Sequence, residues 1–510
     1  MDGIFQNMLG GFAVVFSPSV LVYALLGCLL GTLVGVLPGV GPLSAMSLLL
    51  PVTFGLDPIR ALILLSAIYY GAMYGGSTTS ILMRIPGEAA SVVTCLDGYA
   101  MAQKGRAGAA LTISAVGSFF AGTIGVVGLM VLGPTLAGWA LRFGPPEYFS
   151  LLVLGLTILC YMTGTSMAKS VAMVILGLMF GMVGIDRMTG FMRYDYGIAE
   201  LGDGLGVVPI AVGLFGIAEI LATASNAGEK IAHAPRLKEL LPSREEWRSS
   251  LNPIGRGTIL GFFIGVLPGP THIVSSFVSY AVERRLSKYP ERFGQGMVEG
   301  VAGPESANNA ATSGSFIPML ALGVPSNAST AVMMAAIMIH GVNPGPMLLQ
   351  EHPDLFWGFI ASMYVGNLVL IILNLPLVGL FVNLLRIPYP ILYPLILLFC
   401  LLGVYGINNS VVDVWIMVIM GLLGFVLRKF DFEVAPIVLG VVLAPMLEMS
   451  LRQSLVMSGG HYWIFLQRPI AAAFLGIVLL VLVISLTKSK WGWLWNLRKR
   501  EGRVQIQKGE

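Results

Sequence analysis

Two stretches of this 510-residue chain decide its fold: Gly31-Thr-Leu-Val-Gly35-Val-Leu-Pro38-Gly39 and Gly261-Phe-Phe-Ile-Gly265-Val-Leu-Pro268-Gly269. Both read GxxxGVLPG, 230 residues apart. Glycines four apart lie on one helix face and let a second backbone approach closely. The Pro-Gly pair then ends the helix, because proline lacks an amide donor and clashes with the preceding turn. A second, looser pair follows each copy. Gly75-Gly-Ser-Thr-Thr-Ser-Ile-Leu-Met-Arg-Ile85-Pro86-Gly87-Glu88 aligns with Gly314-Ser-Phe-Ile-Pro-Met-Leu-Ala-Leu-Gly-Val324-Pro325-Ser326-Asn327, at an offset of 239. Repetition in the same order and at near-constant spacing reads as one ancestral unit duplicated.

Working outward, the chain is 56% hydrophobic and 11% charged, where a soluble domain carries about 25% charged residues. Apolar windows such as Ser19–Leu37, Val207–Leu221, Ile371–Leu385 and Ile470–Leu486 approach or exceed the ~17–20 residues that span a bilayer. The expected fold is an all-α polytopic membrane protein of two repeats, with discontinuous helices and re-entrant hairpins and roughly 10–12 spanning helices. Residues 1–225 form the first repeat and 226–256 a polar extramembrane linker. Residues 257–486 carry the second repeat and further helices, and 487–510 a basic tail. Three tryptophans and five basic residues between Lys488 and Arg500 read as an interfacial belt and a positive-inside signal, placing the tail in the cytoplasm. They do not read as a nucleic-acid patch. The N-terminal MDGIFQNMLG has no basic residue and does not read as a removable signal peptide. Cys28, Cys95, Cys160 and Cys400 have no metal-ligand or disulfide spacing.

One conflict appears. Basic residues in Asn226–Arg256 and in Glu283–Arg292 flank a single apolar segment. If Gly257–Tyr280 crosses fully, one of these loops breaks the positive-inside bias; otherwise that segment is re-entrant.

The breaks imply a binding site. At Pro38-Gly39-Val40-Gly41-Pro42 and Pro268-Gly269-Pro270, with His272 just beyond, a helix ends and another starts, its free amides carrying partial positive charge. The other two breaks are polar. Ser77, Thr78 and Thr79 precede Pro86-Gly87-Glu88, with Ser91 beyond; Asn308, Asn309 and Ser313 precede Pro325-Ser326-Asn327, with Ser329 and Thr330 behind. These hydroxyls, amides and tips are the candidate substrate-binding residues, Gly87 included. Discontinuous helices in corresponding positions of two repeats are how secondary transporters hold an anion at helix N-termini and a coupling cation at unwound carbonyls. A sodium site near Gly39, Gly269 or Asn308 is the corresponding expectation. Arg84 either pairs with Glu88 or reaches a substrate carboxylate, since an intramembrane cation needs a reason. Glu305 reads equally as a cap, a hinge or an ion ligand. Asp186, Arg187, Arg193 and Asp195 lie in a glycine-rich, interfacial connection. No His/Glu metal motif or other catalytic spacing appears, so an enzyme is not expected.

Gly35-Val-Leu-Pro-Gly-Val-Gly-Pro, Ile68-Tyr-Tyr-Gly-Ala-Met-Tyr-Gly-Gly-Ser, Ile85-Pro-Gly-Glu, Pro304-Glu-Ser-Ala-Asn-Asn-Ala, Ile317-Pro-Met-Leu and Ile339-His-Gly-Val-Asn-Pro-Gly-Pro together resemble the large membrane subunit of the tripartite tricarboxylate transporters, the TctA type. The resemblance implies a multi-pass protein of the bacterial inner membrane that works with a small TctB-like membrane subunit and a periplasmic TctC-like solute-binding protein. It implies import of citrate or a related carboxylate by symport, with sodium, or protons, as coupling ion, no other cofactor, and an elevator-like movement. No Walker motif is present. Relatives commonly carry a neutral residue, often Asn, in place of Arg84, and Gly in place of Ser326, which points to a changed substrate charge preference. The rival reading is an uncoupled, channel-like or scaffold subunit for small anions.

Overall fold

The computed structural model describes residues 2–37, 41–84, 86–162, 166–186, 188–223, 240–384 and 389–485. Pro38, Gly39, Arg187, residues 226–239 of the linker and the tail 487–510 lie outside the described residues. The first half comprises α1 (Asp2–Val15), α2 (Pro18–Val36), α3 (Gly41–Leu49), α4 (Pro58–Met83), α5 (Thr94–Gln103), α6 (Ala107–Ala140), α7 (Pro145–Met162) and α8 (Met167–Gly181). A helical run of α9 (Val207–Ala211), a π-turn and α10 (Ala218–Thr223) closes it. The second half comprises α11 (Arg244–Val266), α12 (Thr271–Leu286), α13 (Glu299–Ile317), α14 (Ala328–Ile339), α15 (Leu348–Glu351) and α16 (Pro353–Asn374). It continues through α17 (Val378–Leu384), α18 (Tyr389–Asn408), α19 (Val411–Lys429), α20 (Ala435–Met457) and α21 (Ile464–Gln467). The strands among the described residues are Gly184–Ile185 and Met192–Arg193, a short antiparallel hairpin.

The protein is an all-α polytopic membrane protein. Among the described residues seven helices, α2, α4, α6, α7, α16, α19 and α20, are long and apolar enough to cross a membrane. Others, including α8 and α14, are apolar but shorter; at about 1.5 Å per residue they fall short of the ~30 Å hydrocarbon core.

The glycine faces set the packing. A methyl group built on Gly27, Gly31 or Gly35 of α2 would overlap the carbonyl oxygens of Leu64, Ile68 and Ala72 on α4. One on Gly257, Gly261 or Gly265 of α11 would overlap those of Gly303, Ala307 and Ala311 on α13. In reverse, Gly75 of α4 meets the Thr32 carbonyl and Gly314 of α13 that of Phe262. Shifting the α2 residues by 230 and the α4 residues by 239 reproduces every one of these α11–α13 contacts. Without a hydrophobic drive between helices in lipid, such close backbone approach supplies the attraction.

These registers make α2 run parallel to α4, and α11 parallel to α13. The chain must therefore double back between the members of each pair. It does so through α3 and the 3-10 turn Leu50–Gly55 in the first half, and through α12 in the second. Arg256 of α11 and Glu283 of α12 form a two-point ion pair, with Arg256 Nε donating to Glu283 Oε1 at 2.9 Å. The two ends of the α11–α12 hairpin thus lie side by side. The described residues that flank Gly257–Tyr280, Arg256 and Glu283, therefore share one face. Lys104 Nζ, donating to the Gln295 carbonyl at 2.6 Å, and the Arg106–Glu246 ion pair bring the α5–α6 loop to that face.

Gly261→Leu should force α11 away from α13, at a cost of about 1–3 kcal/mol. Detergent-solubilised protein should melt several degrees lower, whereas Gly255→Ala on the same helix, which meets nothing within 4 Å, should not. An unchanged melt for Gly261→Leu would show that the glycine register does not hold the pair.

Candidate functional site

Each long helix, α4 and α13, leads into a polar tip, and the tips have the same backbone. α4 stops where Arg84 adopts a left-handed conformation (φ 61°, ψ 19°), and α13, after a π-turn, stops where Gly323 does (φ 69°, ψ 24°). A left-handed residue is the usual helix stop, and Pro86 and Pro325 bar any resumption. The chain then straightens at Glu88 (φ −146°, ψ 165°) and at Asn327 (φ −149°, ψ 176°). Each of these caps the next helical segment through a capping box, Glu88 with Ser91 and Asn327 with Thr330. All three pairs of positions, 84/323, 88/327 and 91/330, keep the offset of 239.

The tips grip the opposite half. Asn308 Nδ2 of α13 donates to Glu88 Oε1 at 3.1 Å, and Asn327 Nδ2 donates to the Tyr69 hydroxyl of α4 at 3.3 Å. Tyr69 and Asn308 are themselves 239 apart, so one contact is the other with the halves exchanged. Reciprocal contacts of this kind are the signature of a two-fold relation.

Behind the tips lies a dry polar layer. Glu305 accepts hydrogen bonds from Ser77 and Thr94, Asn309 donates to Ser118 at 2.7 Å, and Ser80 donates to Ser91 at 2.8 Å. Thr79 and Ser313 turn their hydroxyls onto carbonyls of their own helices, and Thr78 is buried. Ser326 donates to the Ser315 carbonyl, while its own carbonyl accepts from the Gly269 amide at 2.7 Å, joining the second Gly-Pro turn to the second tip. A methyl group on Gly87 would overlap the Gly35 carbonyl, which fixes the first tip against the end of α2.

A cavity of about 510 Å³ is walled by residues from all four breaks: Gly41 and Pro42, Pro86 to Glu88, Gly269 and Pro270, Asn327 to Ser329. The N-termini of α3, α12 and α14 open on it, presenting the positive ends of three helix dipoles. His272 also lines it, edge-on to the Tyr69 ring at 6.3 Å, with its Nδ1 buried and unpartnered. Of the residues expected at the site, Gly41, Gly87, Gly269, His272, Asn327 and Ser329 reach the cavity. Ser77, Thr78, Thr79, Ser91, Asn308, Asn309, Ser313, Ser326 and Thr330 support it from behind; Pro268 ends the helix before it. Arg84 does neither. It is exposed, lies 5.9 Å from the Tyr99 ring centroid, and makes no ion pair with Glu88.

The cavity's basic residue, among those described, is Arg428, at the end of α19, ion-paired to Glu219. Sequence reading passed over it, because an Arg-Lys pair closing an apolar run looks like an ordinary helix end. Tyr69 was legible only inside the Ile68-Tyr-Tyr motif, with no role attached. No group of three or more His, Cys, Asp or Glu side chains that could hold a metal occurs among the described residues.

A second cavity, of about 640 Å³, lies by the far end of α14, lined by Asp186, Arg193 and Glu448. None of the four breaks opens on it. Asp186 accepts from the Met188 amide and from Arg452, both at close range, which holds its carboxyl below the ordinary carboxylate range. That network fastens the 184–193 hairpin to α20, a structural task.

A protein from Agrobacterium vitis described as "Uncharacterized 52.8 kDa protein in TAR-I ttuC' 3'region" is 48% identical over 489 residues, 96% of this chain and 97% of the relative. A second from that organism, "Uncharacterized protein in TAR-II ttuC' 3'region", is 49% identical over 229 residues, 45% of this chain and 95% of the relative. No solved structure matches the chain. The description "Tripartite tricarboxylate transporter TctA family" matches residues 21–439, a span that holds both glycine-faced helix pairs, both tips and Arg428; the chain belongs to that family.

Proposed function

We propose that this chain is the translocating large subunit of a binding-protein-dependent secondary transporter. It imports a tricarboxylate or related carboxylate across the bacterial inner membrane, driven by a cation gradient. A TctB-like small subunit and a TctC-like periplasmic binding protein are its partners. The observation that carries the reading is the convergence of four helix breaks, from two halves of the chain, on one cavity.

Three helix N-termini attract an anion without presenting a bulky cation. Arg428 adds one forked donor suited to a carboxylate, and Glu219 holds that fork in place until substrate arrives. The parallel pairs α2/α4 and α11/α13, with reciprocal tip contacts, support an inverted repeat whose α2–α3 and α11–α12 hairpins enter the membrane and return. The shared basic face is then cytoplasmic.

Two outcomes test this in proteoliposomes holding both membrane subunits, with labelled citrate and the binding protein. Arg428→Gln should raise the half-saturating substrate concentration about tenfold or more, the worth of one charged hydrogen bond, with the protein normally abundant. Asn327→Ala should lower uptake while leaving the protein folded, since a lost cap costs only ~1 kcal/mol. Normal transport in both variants would remove the cavity from the pathway, and uptake indifferent to collapse of both the sodium and proton gradients would favour an uncoupled channel.

A further inference from the structure

The two tips share a backbone but not a chemistry. Glu88 and Asn327 occupy equivalent positions, adopt the same extended conformation and cap the following helix in the same way. An amide therefore suffices for the cap, and the carboxyl of Glu88 is not required by the fold. What the carboxyl adds is the ability to carry a proton.

Its surroundings supply hydrogen-bond donors but no counter-charge. Glu88 is 6% exposed and lines the cavity, yet forms no ion pair with any described Lys, Arg or His. Its Oε2 accepts from the Ala90 amide at 3.1 Å and its Oε1 from Asn308 Nδ2 at 3.1 Å. The charged and titratable groups around it are few. On α4 stand Arg84, exposed against Tyr99, and Tyr69, bonded to Asn327. Glu305, one turn before Asn308 on α13, is bonded to Ser77 and Thr94. Cys95 of α5 donates to the Ser91 carbonyl. Across the cavity stand His272 of α12 and the trio Arg428, Glu219 and Glu433.

The independent pointer is Asn308. It is 1% exposed, its amide nitrogen is committed to Glu88, and its Oδ1 is buried without a partner. A buried amide oxygen lacking a donor is rare and calls for an explanation. A protonated Glu88 provides one. The acid O–H donates to Asn308 Oδ1 while Oε1 keeps accepting from Nδ2, closing a two-point acid–amide pair. An ionised Glu88 cannot fill that vacancy, being an acceptor only. Sodium fits poorly: Asn308 and Ala90 turn their hydrogens toward the carboxyl oxygens, where a cation would need lone pairs.

We propose that Glu88 is the proton-binding site that couples transport, so that the driving cation is H⁺. The carboxylate takes a proton from a hydronium ion in the cavity, leaving water behind and forming the O–H bond and the pair with Asn308. On release the O–H bond breaks, the proton returns to water, and a buried carboxylate with no counter-charge is left. Such a charge is costly at membrane depth, so release is tied to a conformation that hydrates the tip. The role in coupling rests on the cavity being the carboxylate pathway; the protonation itself does not.

Infrared difference spectra of the full-length purified protein, titrated between pH 5 and 9, should show a buried carboxylic-acid carbonyl band that is absent in Glu88→Gln. Glu88→Asn, which copies the cap of the second tip, serves as a second variant should the first misfold. In proteoliposomes with both membrane subunits and the binding protein, labelled citrate uptake by the native complex should rise at least tenfold on imposing an inward proton gradient. With Glu88→Gln the ratio of uptake with and without that gradient should fall close to one. A band that persists in both variants, or a native complex driven by sodium and indifferent to the proton gradient, overturns the proposal. If the band behaves as expected but the native complex moves no citrate under either gradient, the proton site stands and the carboxylate-transport reading fails.

Discussion

Backbone amides and carbonyls released at a broken helix have no water to turn to in a bilayer, and every feature of this protein's centre answers to that constraint. A break is tolerable only where other protein covers it or where it lines a hydrated cavity. Here the cover comes from backbone-to-backbone approach. Gly27, Gly31 and Gly35 let α2 lie directly on α4, and Gly257, Gly261 and Gly265 do the same for α11 on α13. The ends of α2 and α11 are thereby delivered to the tips that follow α4 and α13. Gly87 touches the Gly35 carbonyl, and the Gly269 amide bonds to Ser326. What the helices leave unbonded, the tips bond through Glu88 with Ser91 and Asn327 with Thr330.

The helix N-termini that open on the cavity favour an anion there. Three helix N-termini contribute partial positive charge without the desolvation cost of burying several full cations. Arg428 is the exception, and Glu219 neutralises it. Such a pair is stable as a unit but exchangeable: a substrate carboxylate offers the guanidinium the same forked geometry. Under the proposed function, such an exchangeable pair suits a substrate that must be both recognised and released.

The sequence disclosed the architecture at this centre but not its occupants. The identical GxxxGVLPG segments gave the offset of 230 that the glycine contacts of α2 and α11 obey, because close approach leaves no freedom in residue type: any side chain at Gly261 or Gly31 would collide with a carbonyl. The positive-inside conflict around Gly257–Tyr280 was also legible, and the Arg256–Glu283 pair brings the two ends of that segment together. Arg84 and Arg428 show where such reading stops. Arg84 sits next to a motif and drew attention, yet it is exposed beside Tyr99. Arg428 sits at an unremarked helix end and lines the cavity. Which charge faces a cavity depends on how α19 packs against the π-turn and α10, contacts between segments two hundred residues apart that no local pattern encodes. Glu305 is similar. Its neighbours in sequence left a cap, a hinge and an ion ligand equally open, whereas its partners Ser77 and Thr94 come from the other half.

The equivalence of the two tips also shows where this chain departs from symmetry, and the departures fall in the first tip. At the helix stop, Gly323 adopts the left-handed conformation freely, while Arg84 holds it at a cost of roughly 1–2 kcal/mol. A strained arginine whose guanidinium points away from the cavity is therefore not explained by substrate contact. Asn, which the family resemblance leads one to expect at this position, visits the left-handed region more readily, so backbone geometry is a sufficient reason for such a preference. At the cap the difference is of another kind. Asn327 and Glu88 do the same structural work at matched angles, so the exchange of amide for carboxyl changes charge and protonation but not shape. Where two positions are held to one geometry by the same packing, a difference in their chemistry is free to serve function. Of the two departures in this tip, only the carboxyl faces the cavity.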